Sequence, residues 1–158
     1  VKAYGPQRDL KALTRAILTD DEFTGGRGTV VNTPVEWLVG VIRALGVSGQ
    51  GGKLIGTTLK ALGQRPFFPT DVNGWPRGQV WLTTASASTR WRAALQLARS
   101  ADLSVIEEAG TGDRIDIVGH LIGVGAWPDR TVDALRPSVR KPAQLVAAAV
   151  NSPEYLTS

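Results

Sequence analysis

The sequence predicts an all-α protein, an irregular helical array of about five to seven helices with one long structured loop rich in aromatics and proline. Three observations carry this. Apolar residues return at three-to-four spacing in several separate segments. Glycines and proline-led caps bound those segments. No segment alternates apolar and polar residues as a half-buried strand would, and no internal repeat is visible. With 158 residues the chain suits a single helical domain spanning 1–158, burying roughly 70% of its unfolded surface.

The first helix runs from Gln7 to about Thr19 on Leu10, Leu13, Ile17 and Leu18, and Asp20-Asp21-Glu22-Phe23 then leads into Gly25-Gly26, which ends the segment. Thr33-Pro34-Val35-Glu36 marks the second start: Thr33 caps, Pro34 fits the first helical position and Glu36 completes a capping box. Val35, Leu38, Val39, Ile42 and Leu45 form its apolar stripe, which Gly46 stops. The link Ser48-Gly49-Gln50-Gly51-Gly52 reads as a short hinge before a third pattern, Leu54, Ile55, Thr58, Leu59 and Leu62, closed by Gly63.

Between residues 67 and 81, Phe67, Phe68, Trp75 and Trp81 place four of the ten aromatics in fifteen residues. Pro66, Pro69 and Pro76 stiffen that loop, which is expected to be pinned by burying its rings. Asn73-Gly74 reads as a turn with positive φ, with Asp71 as its internal acceptor.

A fourth helix is expected from about Val80 to Ala98, presenting Trp81, Ala85, Ser88, Trp91 or Arg92, and Leu95 on one face. Its first half, rich in Thr, Ser and Ala, allows close approach by a neighbour. Residues 100–112 form a connection or weak helix. Asp113 can cap a fifth helix carrying Ile115, Val118, Leu121 and Ile122. Short helices follow near Thr131–Leu135 and Pro142–Val150, and Ser152-Pro153-Glu154-Tyr155 forms a capped turn that folds back onto the core.

Composition narrows the function classes. Zero cysteines exclude disulfides, thiolate metal sites and thiol catalysis. The net charge is +4, and the basic excess lies in residues 1–79, with 10 basic against 6 acidic side chains. Arg8, Lys11 and Arg15 are spaced as the solvent face of a helix rather than as a nucleic-acid patch, so no nucleic-acid partner is expected. Apolar runs fall short of the roughly 20 residues of a membrane span. The chain opens at Val1 and has no methionine, which reads as a piece of a longer protein.

No catalytic set, metal set or cofactor motif is expected. His120 is the one histidine, and its neighbours Gly119, Leu121 and Ile122 place it at the edge of an apolar helix face, with Asp116 one turn away. Gly46-Val47-Ser48-Gly49-Gln50 misses the last glycine of a nucleophile elbow and follows a helix instead of a strand. The glycines before Lys53 lack the first Gly and the Ser/Thr of a phosphate loop. Asp71-Val72-Asn73-Gly74 opens like a calcium loop, but Trp75 and Leu82 stand where ligands belong. Phe68, Trp75, Arg77, Trp81 and His120 are therefore candidates for a ligand or partner surface rather than for chemistry.

Three stretches carry a resemblance: Asn-Thr-Pro-Val-Glu-Trp-Leu-Val-Gly-Val-Ile-Arg-Ala-Leu-Gly over 32–46, Leu-Gly-Gln-Arg-Pro-Phe-Phe through Asn-Gly-Trp-Pro to Trp-Leu-Thr-Thr-Ala over 62–85, and Ser-Pro-Glu-Tyr over 152–155. Together they resemble the C-terminal region of the bacterial domain-of-unknown-function 1800 family. The resemblance implies an exported protein (periplasm, cell envelope or extracellular) and the absence here of the family's N-terminal region. It also implies a protein partner: that missing region, a sulfatase-like exported protein, or a second copy. The first helix and the small-residue face of the fourth are the expected contact surfaces.

The leading expectation is a non-catalytic interaction or assembly module. The alternatives are the C-terminal part of an envelope-associated hydrolase whose catalytic residues lie elsewhere, or a carbohydrate-binding module using the aromatic loop.

Overall fold

The computed structural model describes residues 2–25, 30–48 and 51–157. Among the described residues ten α-helices follow one another: α1 (Leu10–Leu18), α2 (Asp21–Gly25), α3 (Pro34–Ala44), α4 (Gly51–Ala61), α5 (Thr84–Ser100), α6 (Ser104–Glu107), α7 (Arg114–Ile122), α8 (Asp129–Leu135), α9 (Pro142–Ala149) and α10 (Pro153–Leu156). Short 3₁₀ turns stand at Gly78–Trp81 and Arg136–Ser138. Among the described residues β structure is limited to isolated bridges, Val31 with Thr157 and Asp71 with Gly74. The class is all-α, as the periodicity requires.

The N-terminal segment divides in two. Asp9 caps α1 by accepting from the Ala12 N–H at 2.9 Å. The acidic run expected only as an exit instead starts α2, where Asp21 and Glu22 occupy the positive end of the helix dipole. The Ser48–Gly52 hinge is only partly visible: Gly49 and Gln50, like Gly26, lie outside the described residues, and α4 already begins at Gly51.

The capping box at α3 is complete, the Thr33 N–H donating to Glu36 Oε2 at 2.8 Å and the Glu36 N–H to Thr33 Oγ1 at 3.4 Å. A further free donor of that first turn, the Val35 N–H, reaches Oε1 of buried Gln64 at 2.9 Å. Gln64 follows Gly63, whose φ of +82° turns the chain out of α4. One amide thus ties the entrance of the aromatic loop to the start of α3.

Two helix faces differ from their sequence stripes. α3 buries Trp37, Leu38, Val41 and Leu45, whereas Val39 points to solvent. The cause is Trp37, 1% exposed, whose indole N–H donates to the Val150 carbonyl at 2.7 Å and rotates the helix toward the end of α9. α5 begins at Thr84 rather than near Val80, because Thr83 takes the cap, accepting from Ser86 N–H at 3.1 Å. Its buried face is Ser86, Arg90, Ala93, Ala94, Leu97 and Ala98, leaving Ala85, Ser88 and Trp91 exposed. Small residues do bring helices close, but those in the second half of α5, which packs most extensively on α9.

The core joins these residues to Leu59 and Leu62 of the α4 exit, Ile106 of α6, Ile115, Val118 and Ile122 of α7, Leu135 of α8, and Leu145, Val146, Ala147 and Ala149 of α9. Asp113 makes no side-chain cap on α7, contrary to expectation. Gly119 is where the Trp127 indole lies against α7: a Cβ there would stand 2.6 Å from Trp127 Nε1, whose N–H donates to the Ile115 carbonyl at 3.1 Å.

The terminal turn folds back as its sequence indicates. Ser152 Oγ accepts from Tyr155 N–H at 3.3 Å, and Asn32 donates from its backbone to the Leu156 carbonyl at 2.8 Å and from Nδ2 to the Tyr155 carbonyl at 2.9 Å. Residues 31–33 and 155–157 therefore lie side by side.

Trp37→Phe keeps most of the buried ring but leaves the Val150 carbonyl without its donor. The expected loss is about 1–3 kcal/mol of unfolding free energy, read from urea denaturation with an unchanged m-value.

Candidate functional site

The aromatic loop starts where Gln64 fixes it and ends on the 3₁₀ turn before α5. Its four rings share one stretch of sequence but not one environment. Trp81 is buried, with its indole N–H donating to the Pro76 carbonyl at 3.1 Å. Trp75 is half-buried, with Nε1 out of contact with solvent and without a hydrogen-bond partner. Phe67 and Phe68 are 93% and 60% exposed. The Arg65 guanidinium lies 4.0 Å from the Phe68 ring centroid, a cation–π pair on the surface. Burial therefore pins the loop at Trp81 and partly at Trp75, and the expectation that all its rings are buried fails for the two phenylalanines.

The polar side of the loop behaves as read from sequence. Asp71 Oδ1 accepts from Asn73 N–H at 2.7 Å, the Asp71 carbonyl accepts from Gly74 N–H at 3.1 Å, and Gly74 has a φ of +92°. Phe67 is the anomaly: a non-glycine residue at φ +66°. The left-handed region costs an L-residue roughly 1–2 kcal/mol, and this residue's ring does not recover that cost by burial. Arg77 is exposed on the same loop.

Behind the loop stands a buried cation. Arg90, 1% exposed, donates from Nη2 to the Trp81 carbonyl at 2.7 Å and lies 5.9 Å from the Trp37 ring centroid. Its Nε has no partner, and among the described residues no carboxylate pairs with it. Desolvation pulls its pKa below the ordinary arginine value. The arginine is a buttress, holding the end of the loop against the α3 tryptophan. Sequence reading passed over it, although its register with Ser86, Ala93, Ala94 and Leu97 places it on the buried face.

His120 is exposed in the last turn of α7, without a hydrogen bond to Asp116. Phe68, Trp75, Arg77 and Trp81 all belong to the segment between α4 and α5, and His120 belongs to α7. Tyr155, packed against Gly40, has its phenol pushed up to about 12 by burial, so it stays neutral and is no base near pH 7. Among the described residues no three His, Asp or Glu side chains gather as a metal site.

A second surface is α1. None of its residues is buried, and Leu10, Ile17 and Leu18 are at least half exposed, as is Phe23 on α2. Among the described residues the core cluster takes none from this segment, and the main partner of α1 is α2. Lys11 and Arg15 flank the apolar side.

These features define an all-α protein whose buried polar groups serve caps, turns and buttresses. The chain belongs to the family described as Protein of unknown function (DUF1800), whose model matches residues 2–157. No curated protein and no solved structure matches it significantly.

The two ends of the loop respond oppositely to substitution. Trp81→Ala removes a buried ring and is expected to cost about 3–5 kcal/mol. Phe67→Gly relieves the positive φ and is expected to be neutral or to raise stability by up to about 1 kcal/mol, both read from thermal and urea unfolding.

Proposed function

We propose that this chain is a non-catalytic helical module of an exported bacterial protein, which assembles with a protein partner through the apolar side of α1. The carrying observation is that Leu10, Ile17 and Leu18 are left uncovered while the residues from Val31 onward build a core without them. Burying each of those side chains on a partner contributes roughly 1.5–3 kcal/mol. Lys11 and Arg15 at the edge favour a partner face carrying carboxylates beside its apolar groove. No helix among the described residues is long and apolar enough to cross a membrane. Export rests on family resemblance alone.

A second reading draws on Phe67. A strained, exposed ring beside the Arg65–Phe68 pair is the kind of outlier that marks a recognition surface, and it supports stacking on a sugar or an apolar partner. Burial of Trp81 removes one of the rings on which such a platform was expected to rest.

Sedimentation equilibrium across a concentration series tests the assembly reading in its simplest form, pairing of two copies. The expected result is a mass that rises with concentration and returns to that of the monomer in the Leu10→Asp/Ile17→Asp variant. A wild type monomeric throughout, or association unchanged in that variant, counts against α1 as the contact.

A further inference from the structure

We infer that the cleft between α7 and the α8–α9 junction binds a small amphiphile with a carboxylate head and a short apolar chain. The cleft has a volume of about 500 Å³, within the range of small-molecule sites. Ile115, Val132 and Val139 form an apolar floor, and Arg136 and Arg140 stand at the rim. No acidic side chain lines it.

The charge asymmetry selects the head group. Arg140 makes no ion pair among the described residues, and Arg136 meets Asp133 at 3.3 Å with both side chains more than 70% exposed. A pair so exposed is weak, and an incoming carboxylate can displace it. Two guanidinium groups over an apolar floor match an anion that drags a hydrocarbon chain with it, since arginine offers a planar, bidentate match to carboxylate.

The walls are fixed in advance. Arg114, at the first position of α7, donates to the carbonyls of Glu107 at 2.6 Å, Ala109 at 3.1 Å and Val139 at 3.2 Å. One side chain thereby locks the α6–α7 connection to the segment that carries Val139 and Arg140. Asp113 lies next to Gly112 and makes no cap, so the cleft-side start of α7 has no side-chain acceptor for its N–H groups. Little reorganisation is then required for binding, which lowers its cost.

Titrating the full chain with octanoate, followed by 1H–15N NMR, tests this. Saturable shifts are expected at the Ile115, Val132 and Val139 amides and at the Trp127 indole N–H, which bonds to the Ile115 carbonyl. Octylamine and acetate are expected to bind far more weakly, because one has the wrong charge and the other lacks the chain. Arg136→Gln/Arg140→Gln is expected to weaken octanoate by roughly tenfold or more, with its spectrum outside the cleft unchanged. Should the double variant lose its fold, Arg140→Gln alone serves, with a smaller loss in the same direction. The inference is overturned by an absence of saturable shifts, by octylamine or acetate matching octanoate, by unchanged affinity in the arginine variants, or by shifts confined to Leu10–Leu18.

Discussion

The Trp37 indole is the point on which the architecture turns. Its N–H reaches the carbonyl at the end of α9 across 113 residues of sequence, so the helix with the clearest start signal is locked to the one near the chain's end. A buried indole that lost this acceptor would leave both a donor and a carbonyl unsatisfied, each at a cost comparable to a hydrogen bond. The bond therefore fixes the rotation of α3, and with it which residues of that helix enter the core. The backbone pairing of Asn32 with Leu156 repeats the same closure one turn away.

Arg90 extends this arrangement to the aromatic loop. A desolvated guanidinium without a carboxylate is expensive to bury, and here its compensation is a carbonyl on one side and the Trp37 ring on the other. The geometry makes three elements interdependent: α3 supplies the ring, α5 the cation, and the loop the carbonyl. Gln64 closes the circuit from the other end by satisfying the α3 start. The loop is thus held by polar contacts at both ends, which explains how Phe67 and Phe68 between them remain outside the core without releasing it.

Much of the helical framework was legible because local chemistry declares it. Thr33, Pro34 and Glu36 announce a helix start, Gly46 and Gly63 stop helices at positive φ, and Asp71 with Asn73 and Gly74 builds its turn from neighbours alone. What escaped was whatever depends on a distant partner. Val39 and Val41 have identical side chains, and which of them enters the core is decided by the elements that pack against α3 from far along the chain. The face of α5 differs from the expected stripe because that stripe is counted from Trp81, which belongs to the preceding 3₁₀ turn, whereas the helix starts at Thr84 behind the Thr83 cap. Of the candidate surface, the sequence shows a cluster of rings but not their burial: Trp81 is buried and Phe68 exposed although both belong to the same loop.

The apolar side of α1 is what the core leaves over. A helix of nine residues is marginal by itself in water, and α1 buries none of its residues. Hydrogen exchange on the monomeric chain addresses this directly. Amides of α3, α5 and α9 should exchange together and slowest, through global opening, while those of Leu10–Leu18 exchange orders of magnitude faster. Protection of α1 equal to that of α9 in the monomer would contradict this division of the molecule, and would mean that the first helix belongs to the core after all.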